Sequence, residues 1–247
     1  MWQRRLNLPL AAAALACLCA AARAQTSVSV YAGTSFTRHS DLHIRQPGTG
    51  SDATFRGVSW AARPFAQAPY YGYRLTHYFA DSPRFGFSLD YTHYKVYART
   101  DRTARVSGVW NGAPVNEPSR IDARVQDFNI SHGVNMVSGN LLYRRARRAA
   151  ANVPESRLQP YAGAGLVFYV PHSESTINHL TTGGRYQSSG LGYQVLGGLS
   201  YELNGRVSLF AEAKFNGGTA KVDTAGQGRA ETKLRTLHTL AGVSYRF

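Results

Sequence analysis

Apolar side chains recur at every second position along most of this chain, in segments of about ten residues, and that period decides what it can fold into. In "VSVYAGTSF", Val28, Val30, Ala32 and Phe36 alternate with Ser29, Tyr31, Gly33 and Ser35. A period of two belongs to extended strands with one apolar face. The same reading gives "YYGYRLTHYF" (Tyr71, Tyr73, Leu75, His77, Phe79) and "RFGFSLDYTHYKVY" (Phe85, Phe87, Leu89, Tyr91). The fourth strand is "FNISHGVNMV", with Phe128, Ile130, His132, Val134 and Met136 on one face and Ser131, Gly133 and Asn135 on the other. Four more follow: "LQPYAGAGLVFYV", "GYQVLGGLSYEL", "VSLFAEAKF" and "LHTLAGVSYRF". Eight strands of about ten residues, each with a small polar face and an apolar face, predict an all-β, eight-stranded antiparallel up-and-down barrel that spans a membrane. Beyond the first two dozen residues no run approaches the roughly 18 apolar residues of a membrane helix. A closed barrel is the one other architecture that satisfies its backbone in lipid.

The chain opens MWQRRLNLPLAAAALACLCAAARAQ. Arg4 and Arg5 precede an apolar stretch, and Ala22-Arg23-Ala24 supplies the small residues of a cleavage site. Residues 1–24 therefore read as a secretory signal peptide, and 25–247 as a single barrel domain. Both cysteines, Cys17 and Cys19, lie in that leader, so the barrel needs no disulfide and carries no thiol chemistry. The formal charge is +14; loss of Arg4, Arg5 and Arg23 with no acid leaves 25 basic against 14 acidic residues, or +11. For an exported chain that balance points to the phosphate-rich outer leaflet of a bacterial outer membrane, and not to nucleic acid.

The connections support the topology. "ADSPR" (80–84) and "ELNGR" (202–206) are tight turns on one side. Long polar segments at 39–69, 98–122, 171–186 and 217–232 fall on the other, as outer loops should. The short-turn side also carries a basic segment containing Arg144, Arg145, Arg147 and Arg148. Aromatic residues cluster at strand ends, among them Tyr70, Tyr71, Phe85, Tyr91, Tyr94, Tyr97, Tyr143, Tyr169, Tyr201, Tyr245 and Phe247, which suits interfacial girdles.

Two sets of polar residues stand out. The lumen face carries Arg74, Asp90, Glu212, Lys214 and His238, and charges in so narrow a space must pair. Glu212 and Lys214 share a strand and His238 lies on its neighbour, which predicts a Glu–Lys–His network serving as a structural plug. The lipid-facing rows of the third, fourth and fifth strands run into His93 and Lys95, His132, and His172 and Glu174. These strands are neighbours, so three histidines and a carboxylate are expected to meet on the outer wall at outer-leaflet depth. That residue set suits a divalent metal or acid–base catalysis, and polar groups facing lipid point to function. Lys95 and Arg99 are the candidate contacts for lipid phosphates.

"GYRLTHYF", "PRFGFSLDYTHYKVY", "SHGVNMVSGNLLYRR", "LQPYAGAGLVFYVPHSES", "GYQVLGG" and "LFAEAKF" together resemble the small outer-membrane barrels of the OmpA or OmpX type. More narrowly, they resemble the lipid A oxidase of rhizobia. The resemblance covers most of 70–247 and leaves out the first long segment; Ala213 stands where an aromatic is expected. It implies lipid A or lipopolysaccharide as partner, and oxidation of the proximal glucosamine of lipid A to aminogluconate. Molecular oxygen would be the oxidant, with a divalent metal; the resemblance assigns no catalytic residue, and the outward rows offer His93, His132, His172 and Glu174 as the catalytic and metal-holding set. The ending "VSYRF", with Phe247 last, resembles the signal read by the outer-membrane barrel assembly machinery. The alternative is a non-enzymatic barrel whose basic loops bind lipopolysaccharide or host ligands.

Overall fold

The computed structural model describes residues 25–66, 68–131, 133–145 and 157–247. The signal peptide, His132, and Arg147 and Arg148 of the basic turn lie outside the described residues. In chain order the strands are β1 (Gln25–Thr37), β2 (Ser40–Gln46), β3 (Ser51–Val58), β4 (Trp60–Ala61), β5 (Tyr71–Tyr78) and β6 (Phe85–His93). Next come β7 (Val96–Ala98), β8 (Thr103–Trp110), β9 (Ala113–Arg120), β10 (Val125–Ile130), β11 (Met136–Arg144) and β12 (Leu158–Tyr169). The last five are β13 (His172–Ile177), β14 (Leu180–Tyr186), β15 (Leu191–Glu202), β16 (Val207–Thr224) and β17 (Gly228–Arg246).

Eight of these close a barrel in the order β1-β5-β6-β11-β12-β15-β16-β17, with β17 pairing back onto β1 from Ser27–Arg246 to Thr37–Thr236. Every junction is antiparallel between chain neighbours in the barrel, as the alternation predicts. Outward rows follow the expected faces on seven strands: Val28 and Val30, Tyr73, Phe87 and Leu89, Leu166 and Phe168, Tyr193 and Val195, Leu209, and Val243 and Tyr245 are exposed. Their partners point inward and are small or polar, because eight strands leave an interior only as wide as the side chains that fill it.

The fourth strand is the exception, and it overturns the predicted lipid-facing row. Phe128, Ile130, Val134 and Met136 are all buried, and the exposed residues are Val137, Leu141 and Tyr143, Leu141 being 74% exposed. The extended run breaks after Ile130 and resumes at Met136, with Gly133 at φ 101° and Asn135 at φ 44°. A slip of this kind moves every following side chain to the other face. The alternation ran unbroken through two strands because both bury apolar residues, each in a different interior.

The predicted outer loops are mostly strand. A spanning strand needs about 9–11 residues, yet β16 has 18 and β17 has 19, so their hairpin rises well beyond the membrane. There β17 pairs with β2, and β3, β8 and β9 extend that sheet. A second sheet, β14-β13-β10-β7-β4, faces it. Between them lies an apolar core of Leu42, Ile44, Phe55, Val106, Val125, Ile130, Ile177, Val222 and Leu234, among others. A bulge between Val125 and Asp127 lets Val125 and Phe128 both turn inward. Phe55 meets Trp110 edge-on at 5.5 Å, and Trp60 donates from Nε1 to Ser40 Oγ at 2.8 Å, tying one sheet to the other. At about 1.5–3 kcal/mol per buried large apolar side chain, this core holds the outer strands on its own account.

The lumen carries a four-charge network. Arg74 donates from Nη1 and Nη2 to Glu212 at 2.6 and 2.7 Å, and from Nη2 to Asp90 at 2.9 Å. Lys214 Nζ lies 3.3 Å from Asp90 Oδ2 and donates to Thr92 at 2.8 Å. Tyr31 donates to Asp90 Oδ1 at 2.6 Å and Tyr161 to Glu212 Oε2 at 2.8 Å. The expected Glu–Lys–His network is therefore replaced by a different pairing. Lys214 answers Asp90, and Glu212 answers Arg74. His238 stands apart: Asn216 Nδ2 donates to its Nε2 at 2.5 Å, so its Nδ1 carries the proton and meets Tyr70 Oη at 3.1 Å. Tyr169 donates to Asn216 Oδ1 at 3.0 Å, which fixes the amide in that orientation.

Two outcomes follow. Arg74→Ala leaves Asp90 and Glu212 buried with one cation between them, and should cost about 3–5 kcal/mol in denaturant unfolding of the barrel in vesicles. Leu141→Arg, on the lipid face, should cost about 2–4 kcal/mol if it lies near mid-bilayer. As a face test, a single cysteine at Leu141 should react with a lipid-phase thiol probe, and one at Phe128 should not.

Candidate functional site on the outer wall

Between β10 and β11, Ser131 and Gly133 to Asn135 form a strap beside β6 and the start of β13. Val134 N donates to Tyr94 O at 2.7 Å, and Val170 N donates to Asn135 O at 2.9 Å. His172 N donates to Gly133 O at 3.0 Å. Asn135 Nδ2 donates to Gly133 O and Val170 O at 3.1 and 3.2 Å. Its Oδ1 is thereby left to accept, and it takes Tyr91 Oη at 2.8 Å and His93 Nδ1 at 2.9 Å. His93 is therefore protonated on Nδ1. Asparagine suits this post because it tolerates the left-handed backbone and offers both a donor and an acceptor.

His93 continues the outward row of β6, as expected, but it does not face lipid. It is only 4% exposed, stacked on Tyr71 at 4.9 Å with rings 13° apart, and covered by the strap. A β-carbon on Gly133 would stand 2.3 Å from the His93 ring, so glycine is required there by contact as well as by φ. Lys95, the next outward position, is also buried, and that burial, with Arg63 nearby, lowers the pKa of its ammonium above the membrane band. Arg63 lies over the Tyr97 ring at 4.3 Å, and Arg99 is exposed. Arg99 N donates to Ser59 O at 2.9 Å, which fixes its backbone.

His172 and Glu174 share the outward face of β13. The His172 ring meets Tyr186 edge-on at 4.7 Å, and Ser131 Oγ donates to Glu174 Oε2 at 2.8 Å. The strap thus gathers His93, His172 and Glu174 along one wall, each in contact with a residue of 131–135. Among the described residues, however, no three histidine or acidic groups are arranged to hold a metal ion. Nδ1 of His93 is committed to Asn135, and Glu174 to Ser131. The described side chains do not fit a metal set of His93, His172 and Glu174, and His132 lies outside the described residues.

Sequence reasoning missed Asn135, Gly133, Tyr71 and Tyr91 as parts of this site. The available signal was a glycine and an asparagine inside an otherwise regular strand pattern, which marks a bend or a close approach.

Below the strap the exposed apolar band is flanked by aromatics, with Phe79, Phe85, Tyr143, Tyr201, Tyr245 and Phe247 at the short-turn end. Tyr71, Tyr73, Tyr91 and Tyr193 lie at the other. Tyr70, Tyr94 and Tyr169, expected in the girdles, are instead buried inside. A closed barrel with an apolar belt, two girdles and a polar lumen defines an integral outer-membrane protein. The match to the family model described as outer membrane protein beta-barrel domain spans residues 10–247, and the chain belongs to that family. No curated protein matches it. Among solved structures it is similar to OprG from Pseudomonas aeruginosa, at 14% identity and TM-score 0.52, over 91% of this chain and 97% of that one. It is also similar to neisserial surface protein A, at 16% identity and TM-score 0.42, covering 92% of this chain and 98% of that one. At 14% identity the likeness to OprG is one of fold.

Asn135→Ala removes the acceptor shared by Tyr91 and His93 and puts alanine at positive φ. It should expose His93 to solvent, read as faster hydrogen–deuterium exchange of the His93 ring and of the Val134 and Val170 amides, while the barrel stays folded.

Proposed function

We propose that this protein is an outer-membrane barrel that holds lipopolysaccharide against the outer wall formed by β5, β6 and the strap. The observation that carries the reading is a polar pad built at the upper edge of the lipid band: Tyr91, His93 and Asn135 are joined by hydrogen bonds, His172 and Glu174 stand beside them, and Tyr71 and Tyr73 flank them. Lipid A offers acyl chains at this depth and phosphates and glucosamines just above it. Acyl chains would lie on Leu89 and Tyr73, sugar rings on the tyrosines, and phosphates would meet the exposed Arg63 and Arg99, with Lys95 buried beneath them. Charge-assisted contacts to phosphate are the strong ones, and the chain's surplus of basic residues is consistent with them. The outward row Val243, Tyr245 and Phe247 supports reading the C-terminus as the segment taken by the barrel assembly machinery.

The test is binding of lipid A to the refolded full chain. Replacing Arg63 and Arg99 together by glutamine should weaken binding at least tenfold at low salt, and lipid A stripped of its phosphates should no longer distinguish the variant from the parent. Equal affinity of parent and variant for intact lipid A would overturn the reading.

A second reading is oxidation of the proximal glucosamine of lipid A, with molecular oxygen as oxidant. One observation favours it: the Gly133 segment packs on His93 and bonds to His172, bringing two of the candidate catalytic histidines to one wall. Mass spectrometry of lipid A from cells with and without the gene separates the readings. An unchanged sugar mass removes the oxidase and leaves binding.

A further inference from the structure

The wall of β16, β17 and β1 lies on the other side of β1 from β5, and its outward apolar rows end together. Phe36 on β1 stands opposite Leu237 on β17, and Leu237 stands opposite Phe215 on β16. Phe36 and Leu237 are exposed. One outward position further toward the cap, β1 presents Arg38 and β17 presents Arg235. A hydrogen bond of 2.9 Å from Arg38 N to Arg235 O carries the barrel register to this pair, so the two arginines face each other. The next outward position on β17 is Lys233, and all three side chains are exposed. From β16, Gly217 faces Arg235 and Thr219 faces Lys233, so that strand brings no acid to them. The acids nearest along the chain are held by other groups. Glu231 pairs with Lys221 at 3.6 Å, and Asp41 takes Arg56 at 3.3 Å and the Gly57 amide at 2.9 Å. Among the described residues, Arg38, Arg235 and Lys233 make no ion pair. An open groove that includes His39, Ser40, His43 and Thr232 leads on from Lys233 and Arg235 over the cap.

Like charges directly opposite each other on paired strands are destabilising. The backbone nevertheless sets Arg38 against Arg235, with Lys233 beside them and no acid between. An anion seated there turns the repulsion into charge-assisted hydrogen bonds. The place of the pair selects the anion. It stands immediately above the last outward apolar residues of two neighbouring strands, where a lipid changes from acyl chain to headgroup. We propose that Arg38, Arg235 and Lys233 hold the phosphate of an outer-leaflet lipid, with its acyl chains against Phe36 and Leu237. The site shares no residue with the wall of β5, β6 and the strap, and it stands whether or not that wall holds lipopolysaccharide.

The experiment titrates the refolded full chain in detergent with lipid A and with lipid A stripped of its phosphates, and counts bound lipids by native mass spectrometry. Replacing Arg38 and Arg235 together by glutamine should weaken one binding step for intact lipid A at least fivefold and leave binding of the stripped lipid unchanged. Both side chains are exposed, and removing opposed charges should leave the thermal midpoint of the lipid-free barrel unchanged or raised. The variant with Arg63 and Arg99 replaced by glutamine tells the two walls apart, because it should spare the step lost with Arg38 and Arg235. A step lost in the Arg38 and Arg235 variant and none in the Arg63 and Arg99 variant would support this site and remove the other. Equal affinity of the parent and the Arg38 and Arg235 variant for intact lipid A would overturn the proposal. So would displacement of the lipid by inorganic phosphate at equal concentration, which would mark a site for the free anion.

Discussion

Arg74 sits where the barrel could least tolerate an isolated charge, and the surrounding interior is arranged to answer it. Two carboxylates from opposite parts of the wall, Asp90 on β6 and Glu212 on β16, meet one guanidinium from β5. Lys214 then completes the balance by pairing with Asp90, and Tyr31 and Tyr161 occupy remaining acceptor sites on the two acids. In a low-dielectric interior such an arrangement is stable only when every member is satisfied. Because its members come from three strands that are not all neighbours, it also fixes which walls face each other across the lumen. A sheet closed by backbone bonds alone could slip in register; the two-plus, two-minus centre would then be broken.

That centre divides two interiors of opposite character. Toward the short turns lie serine and threonine hydroxyls around a small cavity. Toward the outside the residues become neutral and aromatic through Tyr70, His238, Asn216 and Tyr169, and then fully apolar among Leu42, Phe55 and Ile130. His238, with its proton on Nδ1, sits at the changeover as a neutral polar group, which suits a position between ions and hydrocarbon. Side chains thus fill the lumen except for a small cavity at its short-turn end, and the outer strands are a folded cap and not loops.

The barrel strands were readable because lipid and a polar lumen impose the same period on every strand, and seven of the eight faces follow from that alone. The cap was not, because its segments are rich in Gly, Ser, Thr and Arg and look like solvated loops. Their apolar residues, such as Leu42, Ile44, Phe55 and Val106, are spaced two apart but in runs too short to stand out. What reveals them is pairing across distant segments, β17 with β2 and β3 with β8, which no local pattern records. The lumen charges were readable as a set, but their partners were not. Glu212 and Lys214 point into the same space from one strand, and only the closed geometry gives one to Arg74 and the other to Asp90.

The break at 131–135 connects these levels. Val134 must enter the buried interior and Met136 must start a lumen row, while Phe128 and Ile130 belong to the cap core. A straight strand cannot serve both interiors, since the cap sheet and the barrel wall are separate sheets. The left-handed turns at Gly133 and Asn135 reset the register between them. Once the chain turns there, its backbone needs partners, and the backbone of Tyr94, Val170 and His172 provides them, while Tyr91 and His93 bond the Asn135 side chain. The polar cluster around Asn135 is therefore a consequence of joining cap to barrel.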